Sequence, residues 1–196
     1  VKRVLDQQGL LPNNVPYTMG GLYEQQQIAF RSLSIILIAA LVLVFLLLLF
    51  LYESFRVVIA MMLTTLFAIA GVYIGLWVTQ TEFNITSRMG MTMIVGIVTE
   101  IAIFYYSEFR ELEPSDDRFI VAGVNRLRPI AMTTFAAILA LMPLALGIGQ
   151  GSAMQQPLAI AIISGLVFGM PLALIVLPTL LAIFGERAAA TKAEAK

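Results

Sequence analysis

The sequence predicts an all-α membrane protein, a five-helix transmembrane bundle with a short external strand at its N-terminal edge. Three observations carry this. First, 60% of the 196 residues are hydrophobic and 12% are charged, with a mean hydropathy of +0.92. Soluble domains run to about 45–50% apolar and about 25% charged residues. Second, the charges fall at the ends of long uncharged runs, each about the 17–25 residues that cross a bilayer. Third, those runs are continuously apolar and do not alternate, so a β-barrel is excluded. Helices follow, because hydrocarbon offers no water to an unpaired backbone group.

The spans are expected at roughly 32–52, 57–80, 89–109, 129–147 and 157–184. Ser32 to Tyr52 holds no charge and includes the run from Leu41 to Phe50. It lies too far into the chain, and is too long, for a secretory signal. Val57 to Thr81 is uncharged, and Met89 to Ser107 carries only Glu100. Pro129 to Gly185 is uncharged over enough length for two spans. Gly147 to Pro157, rich in Gly and Gln, divides it. Pro129 suits the first turn of the fourth helix, with a short surface helix over 115–125 before it. Pro171 and Pro178 are expected to kink the last span.

The flanks complete the organisation. Residues 1–21 are expected to be the end of an external domain, with Val15 to Gly21 as its last strand. Leu22 to Arg31 reads as a polar helix entering the first span, so the bundle covers 22–185 and a tail covers 186–196. Glu108 to Asp117 reads as a solvated acidic loop. Arg56, Arg110, Arg118, Arg126, Arg128, Arg187, Lys192 and Lys196 share one side, expected to be cytoplasmic. The N-terminus is then outside and the C-terminus inside. The chain is expected to be the C-terminal end of a longer membrane protein.

Composition excludes several chemistries. The net charge is zero, which gives no field for nucleic acid. Cys and His are absent, removing thiol nucleophiles, the usual general base and the commonest metal ligand. No phosphate loop, nucleotide fingerprint or catalytic triad occurs, so no enzyme activity, cofactor or bound metal is expected. Any energised function has to draw on an ion gradient, worth about 2.3 kcal/mol per charge per 100 mV.

Glu100 is the most informative residue. It is the twelfth of the run from Met89 to Ser107, deep in the membrane. An ionised carboxylate there costs about 2.5–3.5 kcal/mol on insertion scales. The functional possibility is a proton relay, since intramembrane carboxylates mark ion pathways. The structural alternative is a neutral, hydrogen-bonded group that fixes packing. Thr92, Gly96 and Glu100 recur at i, i+4, a polar or small stripe that faces other helices, with Gly96 allowing close approach. Arg126 and Thr133 lie seven apart and share a face of the fourth helix. Beside Glu100 they would supply a counter-charge and a hydroxyl. Spacing alone favours plainer roles, an interfacial anchor for Arg126 and a hydroxyl bonded to its own helix for Thr133. Gly71 and Gly75 form a small-xxx-small packing pair. Met89, Met91 and Met93 are spread around their helix and read as apolar filler rather than a soft-metal ladder.

Four stretches together resemble the C-terminal membrane half of resistance-nodulation-division (RND) efflux transporters. They are Gly20 to Gln26, Leu51 to Phe55, Gly96 to Ile103, and Arg126 to Thr134 with Gly149 to Ser152. The resemblance covers about Val15 to Gly185 and implies that the five segments are transmembrane helices eight to twelve. It implies an inner-membrane homotrimer that exchanges protons for exported substrate. Its partners would be the transporter's own N-terminal half and porter domain, a periplasmic adaptor, an outer-membrane channel and the lipid bilayer. Glu100-Ile101 stands where drug exporters carry Lys-Asn, while Arg126 and Thr133 match their relay Arg and Thr. The acidic pair of the family's fourth helix lies outside this chain. Heavy-metal exporters carry Glu at the position of Glu100, and the Gly20-Gly21 to Glu24 junction is like theirs, so the sequence leans to metal efflux. The expected function is proton-coupled export of metal cations or drugs. The alternatives are a non-exporting superfamily member that handles protein translocation or lipid, and a passive structural bundle.

Overall fold

The computed structural model describes residues 22–113, 117–149 and 151–186. It contains five long helices: α1 (Leu22–Tyr52), α2 (Phe55–Val78), α3 (Ile85–Glu111), α4 (Arg118–Ala145) and α5 (Ser152–Leu181). All five are long and apolar enough to cross a membrane. The expected strand at 15–21 and the tail at 187–196 lie outside the described residues.

Short connections make sequential helices antiparallel neighbours. Glu53 and Ser54 alone join α1 to α2, with Glu53 in the left-handed region at φ 49. Asn84 caps α3 in a capping box. Its side chain accepts from the Ser87 amide at 3.0 Å, and Ser87 Oγ accepts from the Asn84 amide at 3.0 Å. Between α4 and α5, Gly147, Gly149 and Gly151 all take positive φ, 71, 117 and 81. Side chains with a Cβ rarely adopt that backbone.

α5 is the central element. Its Phe168 and Ser164 fill the notches left by Gly71 and Gly75 on α2. Its own Gly165 and Gly169 receive Ile94 and Val98 of α3. A Cβ on Gly165 would lie 2.5 Å from Ile94 Cγ1, and one on Gly169 would lie 2.8 Å from Val98 Cγ2. Small residues let helices approach closely where lipid gives no hydrophobic drive to associate. The result is a packed slab of α2, α3 and α5. Ala68, Val72, Met91, Ile94, Val98 and Leu166 are buried in one half of it. Val58, Met61, Ala102, Tyr105 and Leu177 are buried in the other.

α1 and α4 are peripheral. Leu48 is the one buried residue of α1 among those described. α4 buries Ala122, Ile130 and Thr134. Its first turns are tied to α3, where Tyr105 Oη donates to the Phe119 carbonyl at 2.9 Å. There Phe109 and Phe119 stack with centroids 4.5 Å apart, and the Arg118 guanidinium lies 3.9 Å from the Phe109 centroid.

Three local expectations are corrected. The surface helix over 115–125 and the fourth span are one helix, so Pro129 is the twelfth residue of α4 and not in its first turn. Neighbouring helices let membrane helices carry interior proline. Glu108 to Glu111 form the last turn of α3, not a loop. α5 begins at Ser152, with Pro157 already inside it. Pro171 and Pro178 lie inside α5, which widens into a π-helical turn at Ala182–Glu186.

Candidate functional site

Glu100 and Thr133 meet at one cavity. It measures about 260 Å³ and lies between α3 and α4. Glu100, Ile97 and Phe104 line it from α3, and Thr133, Thr134 and Ala137 line it from α4. Register explains the meeting. α3 and α4 run antiparallel, so mid-helix positions of each share a level.

The Thr133 hydroxyl is engaged by its own helix. Oγ1 lies 3.2 Å from the Pro129 carbonyl and 3.0 Å from that of Ile130, donating to them. Pro129 is itself relevant. It has no N–H, so the carbonyl one turn before it loses its usual helical donor. The oxygen of Thr133 keeps acceptor capacity towards the cavity. Glu100 is exposed at the surface of the bundle, so the carboxylate sits at an open face.

Arg126 is elsewhere. Its Nη2 lies 2.8 Å from Glu108 Oε2, with side chains 31% and 18% exposed. Asn125 Nδ2 donates to the other carboxylate oxygen, Glu108 Oε1, at 2.9 Å. Arg126 Nε is buried and has no hydrogen-bond partner among the described residues. Glu108 is two turns beyond Glu100 on α3, about 12 Å along the axis at 1.5 Å per residue. The structure therefore brings Glu100 together with Thr133 and holds Arg126 on a different carboxylate. Glu108 and Asn125 were not singled out by the sequence. The available signal was Glu108 two turns from Glu100 on the same helix.

The polar stripe on α3 divides in the same way. Thr92 Oγ1 donates to the Arg88 carbonyl at 3.2 Å, within its own helix. A methyl placed on Gly96 would meet nothing within 4 Å. Among the described residues no helix therefore approaches closely at Gly96. The close approach expected there occurs instead at Gly90, where an added Cβ would lie 2.8 Å from Ala161 Cβ. Next to Glu100 on α3, the Thr99 hydroxyl lies 3.5 Å from that of Thr65 on α2, both residues buried. Met91 is buried while Met89 and Met93 are exposed, so these sulfurs do not converge. Among the described residues no three acidic side chains gather as a metal site.

Comparison with known proteins agrees with this architecture. Residues 1–185 match the model of the AcrB/AcrD/AcrF family. The chain is 34% identical over 145 residues to swarming motility protein SwrC of Bacillus subtilis, covering 72% of this chain and 14% of that protein. It is 33% identical over 159 residues to multidrug resistance protein MdtC of Proteus mirabilis, covering 79% of this chain and 15% of that protein. A crystal structure of a heavy metal efflux pump superposes with a TM-score of 0.77 at 28% identity, covering 93% of this chain and 19% of that one. The chain spans about one seventh of the length of these curated relatives. Matched to the family over residues 1–185 and built of five packed membrane-length helices, the chain belongs to the AcrB/AcrD/AcrF family of RND transporters.

Proposed function

We propose that this chain forms part of a proton-coupled exporter of the bacterial inner membrane, with Glu100 as a proton-carrying group. The observation that carries this is the cavity shared by Glu100 and Thr133 at mid-helix. A carboxylate held at an apolar, open face is unfavourable when ionised, unless polar groups turn towards it. Gain of a proton relieves that demand and loss restores it. The helix pair around the cavity therefore has two preferred arrangements, one for each state. Thr133 supplies a hydroxyl oxygen that accepts a hydrogen bond from the protonated carboxyl.

Arg126 enters this cycle through Glu108 and not through Glu100. The 2.8 Å ion pair fixes α4 against α3 two turns from the cavity. It sets the register at which Thr133 faces Glu100.

Metal-cation efflux is the favoured export. Glu100 stands where heavy-metal members of the resemblance carry Glu, and a heavy metal efflux pump shares the fold over 93% of this chain. The substrate path, the homotrimer, the adaptor and the outer channel belong to the larger assembly. In this arrangement the Arg88 end of α3 faces the periplasm and its Glu108 end faces the cytoplasm. Leu22 is then on the periplasmic side and the C-terminus on the cytoplasmic side.

The test replaces Glu100 with Gln in the full-length transporter, assayed in proteoliposomes carrying a pH gradient. Gln keeps the size and hydrogen bonding of a neutral carboxyl but cannot release a proton. The expected result is loss of gradient-driven export by at least tenfold, at normal membrane levels. Export within twofold of wild type makes Glu100 a packing residue and removes the relay. Parallel tolerance assays with zinc, copper and organic drugs decide the substrate branch.

A further inference from the structure

Arg88 makes contacts that neither the fold nor the Glu100 cavity requires. It is the fourth residue of α3, fixed by the capping box at Asn84 and Ser87. Its Nη1 donates to the Phe30 carbonyl at 2.8 Å and to Ser34 Oγ at 2.8 Å, both on α1. Its guanidinium carbon sits 5.3 Å from the ring centroids of both Phe30 and Phe83. Phe83 in turn lies against Tyr73 of α2, with centroids 5.5 Å apart. A planar cation beside two rings whose centroids are 6.3 Å apart, donating twice to a neighbouring helix, is a cross-tie specific to arginine.

Arg88 thus hydrogen-bonds α3 to the Phe30–Ser34 turn of α1 twice. The rest of α1 presents Ile35, Ile38, Val42 and Leu43 outward. At its far end Tyr52 meets Tyr106 edge-on, with centroids 4.8 Å apart. Both Arg88 and Tyr106 belong to α3, so α1 is pinned at each end to the helix that carries Glu100. α1 also continues past the tie to Leu22, beyond the span that begins at Gln27.

We propose that Arg88 is a positioning residue that couples the Glu100 helix to α1 and to the chain preceding Leu22. From Glu100 to Arg88 is three turns of continuous helix, about 18 Å at 1.5 Å per residue. Displacement of α3 at Glu100 thus reaches the Phe30 carbonyl as a rigid-body movement. Without Arg88, α1 keeps its aromatic anchor at Tyr52 but is released at its outer end. This inference rests on the proton-coupled export proposed above.

The experiment uses the full-length transporter in proteoliposomes and reads cargo export and proton flux separately, in Arg88→Ala, Arg88→Lys and Glu100→Gln. Arg88→Ala is expected to lower export at least tenfold while proton flux stays within twofold, which is uncoupling. Arg88→Lys keeps the charge but loses the planar stack, and is expected between Ala and wild type. Glu100→Gln is expected to lower both quantities. Export in Arg88→Ala within twofold of wild type overturns the proposal, as does proton flux falling in proportion to export. A second measurement is independent of pumping. Spin labels at the exposed positions Ile28 and Met89 are expected to give one narrow distance distribution in wild type and at least twice that width in Arg88→Ala. Unchanged width overturns the tie. If Glu100→Gln retains both flux and export, the proton relay fails, and the label distances still decide whether Arg88 holds α1.

Discussion

The Arg126 guanidinium is held by Glu108 at 2.8 Å, on the same helix as Glu100 but two turns away from it. α4 packs on α5 through Ile130 against Ala173, and on its α3 side this pair and the aromatic contacts around Phe109 and Phe119 tie it down. Thr133 lies two turns further along α4 and lines the Glu100 cavity. In the proposed cycle the ion pair and the cavity act together, because both join α3 to α4.

Glu108 should accordingly matter to transport as much as Arg126 does. Glu108→Ala and Arg126→Ala are expected to reduce export by similar factors, and the double variant by no more than either. The stability coupling between them is expected to be modest, about 0.2–1 kcal/mol, because both side chains are partly exposed. A double-mutant cycle on thermal melts in detergent measures it. Full export in Glu108→Ala alongside lost export in Arg126→Ala would show that Arg126 works independently of this partner.

How much of this was legible in the sequence follows from what each feature depends on. The spans were, because a bilayer demands uninterrupted apolar length and the charges mark its limits. The Glu100–Thr133 encounter was half legible, since both sit at mid-span on adjoining antiparallel helices. The partner of Arg126 was not, because it depends on how α4 is rotated against α3, and no local pattern encodes rotation. Pro129 misled for a local reason. In soluble helices proline favours the first turn, whereas a packed membrane helix carries it at the twelfth position. Glu108 was misplaced because a cluster of acids reads as solvated loop even where a helix carries it to its end. Gly96 looked like a packing residue, yet the notches in use are Gly71, Gly75, Gly90, Gly165 and Gly169, each defined by the side chain opposite it.

Those notches make a compensation test possible. A Cβ on Gly75 would collide with Ser164 Cβ, and one on Gly71 would lie 2.5 Å from Phe168 Cβ. Gly75→Ala is expected to destabilise the bundle by about 1–3 kcal/mol through overpacking. Ser164→Gly removes the opposing atoms and is expected to restore much of that loss in the double variant. Melting temperatures of the purified protein measure both. Equal destabilisation of the single and double variants would mean that Ser164 is not the residue in contact.

Thr133 separates hydroxyl chemistry from helix shape. Its Oγ1 is 3.0 Å from the Ile130 carbonyl and 3.2 Å from the Pro129 carbonyl, so part of its role is internal to α4. Thr133→Val keeps the branched shape and loses the hydroxyl. Such back-bonding adds little to helix stability, so Val is expected to leave the fold and melting temperature nearly unchanged. Export should nevertheless fall, by roughly the tenfold that one lost hydrogen bond of about 1.4 kcal/mol represents. Thr133→Ser keeps the hydroxyl at the cavity wall and is expected to retain most export. The contrast is what matters: if Ser and Val behave alike in proteoliposome export, the oxygen facing Glu100 plays no part and the threonine serves only its own helix.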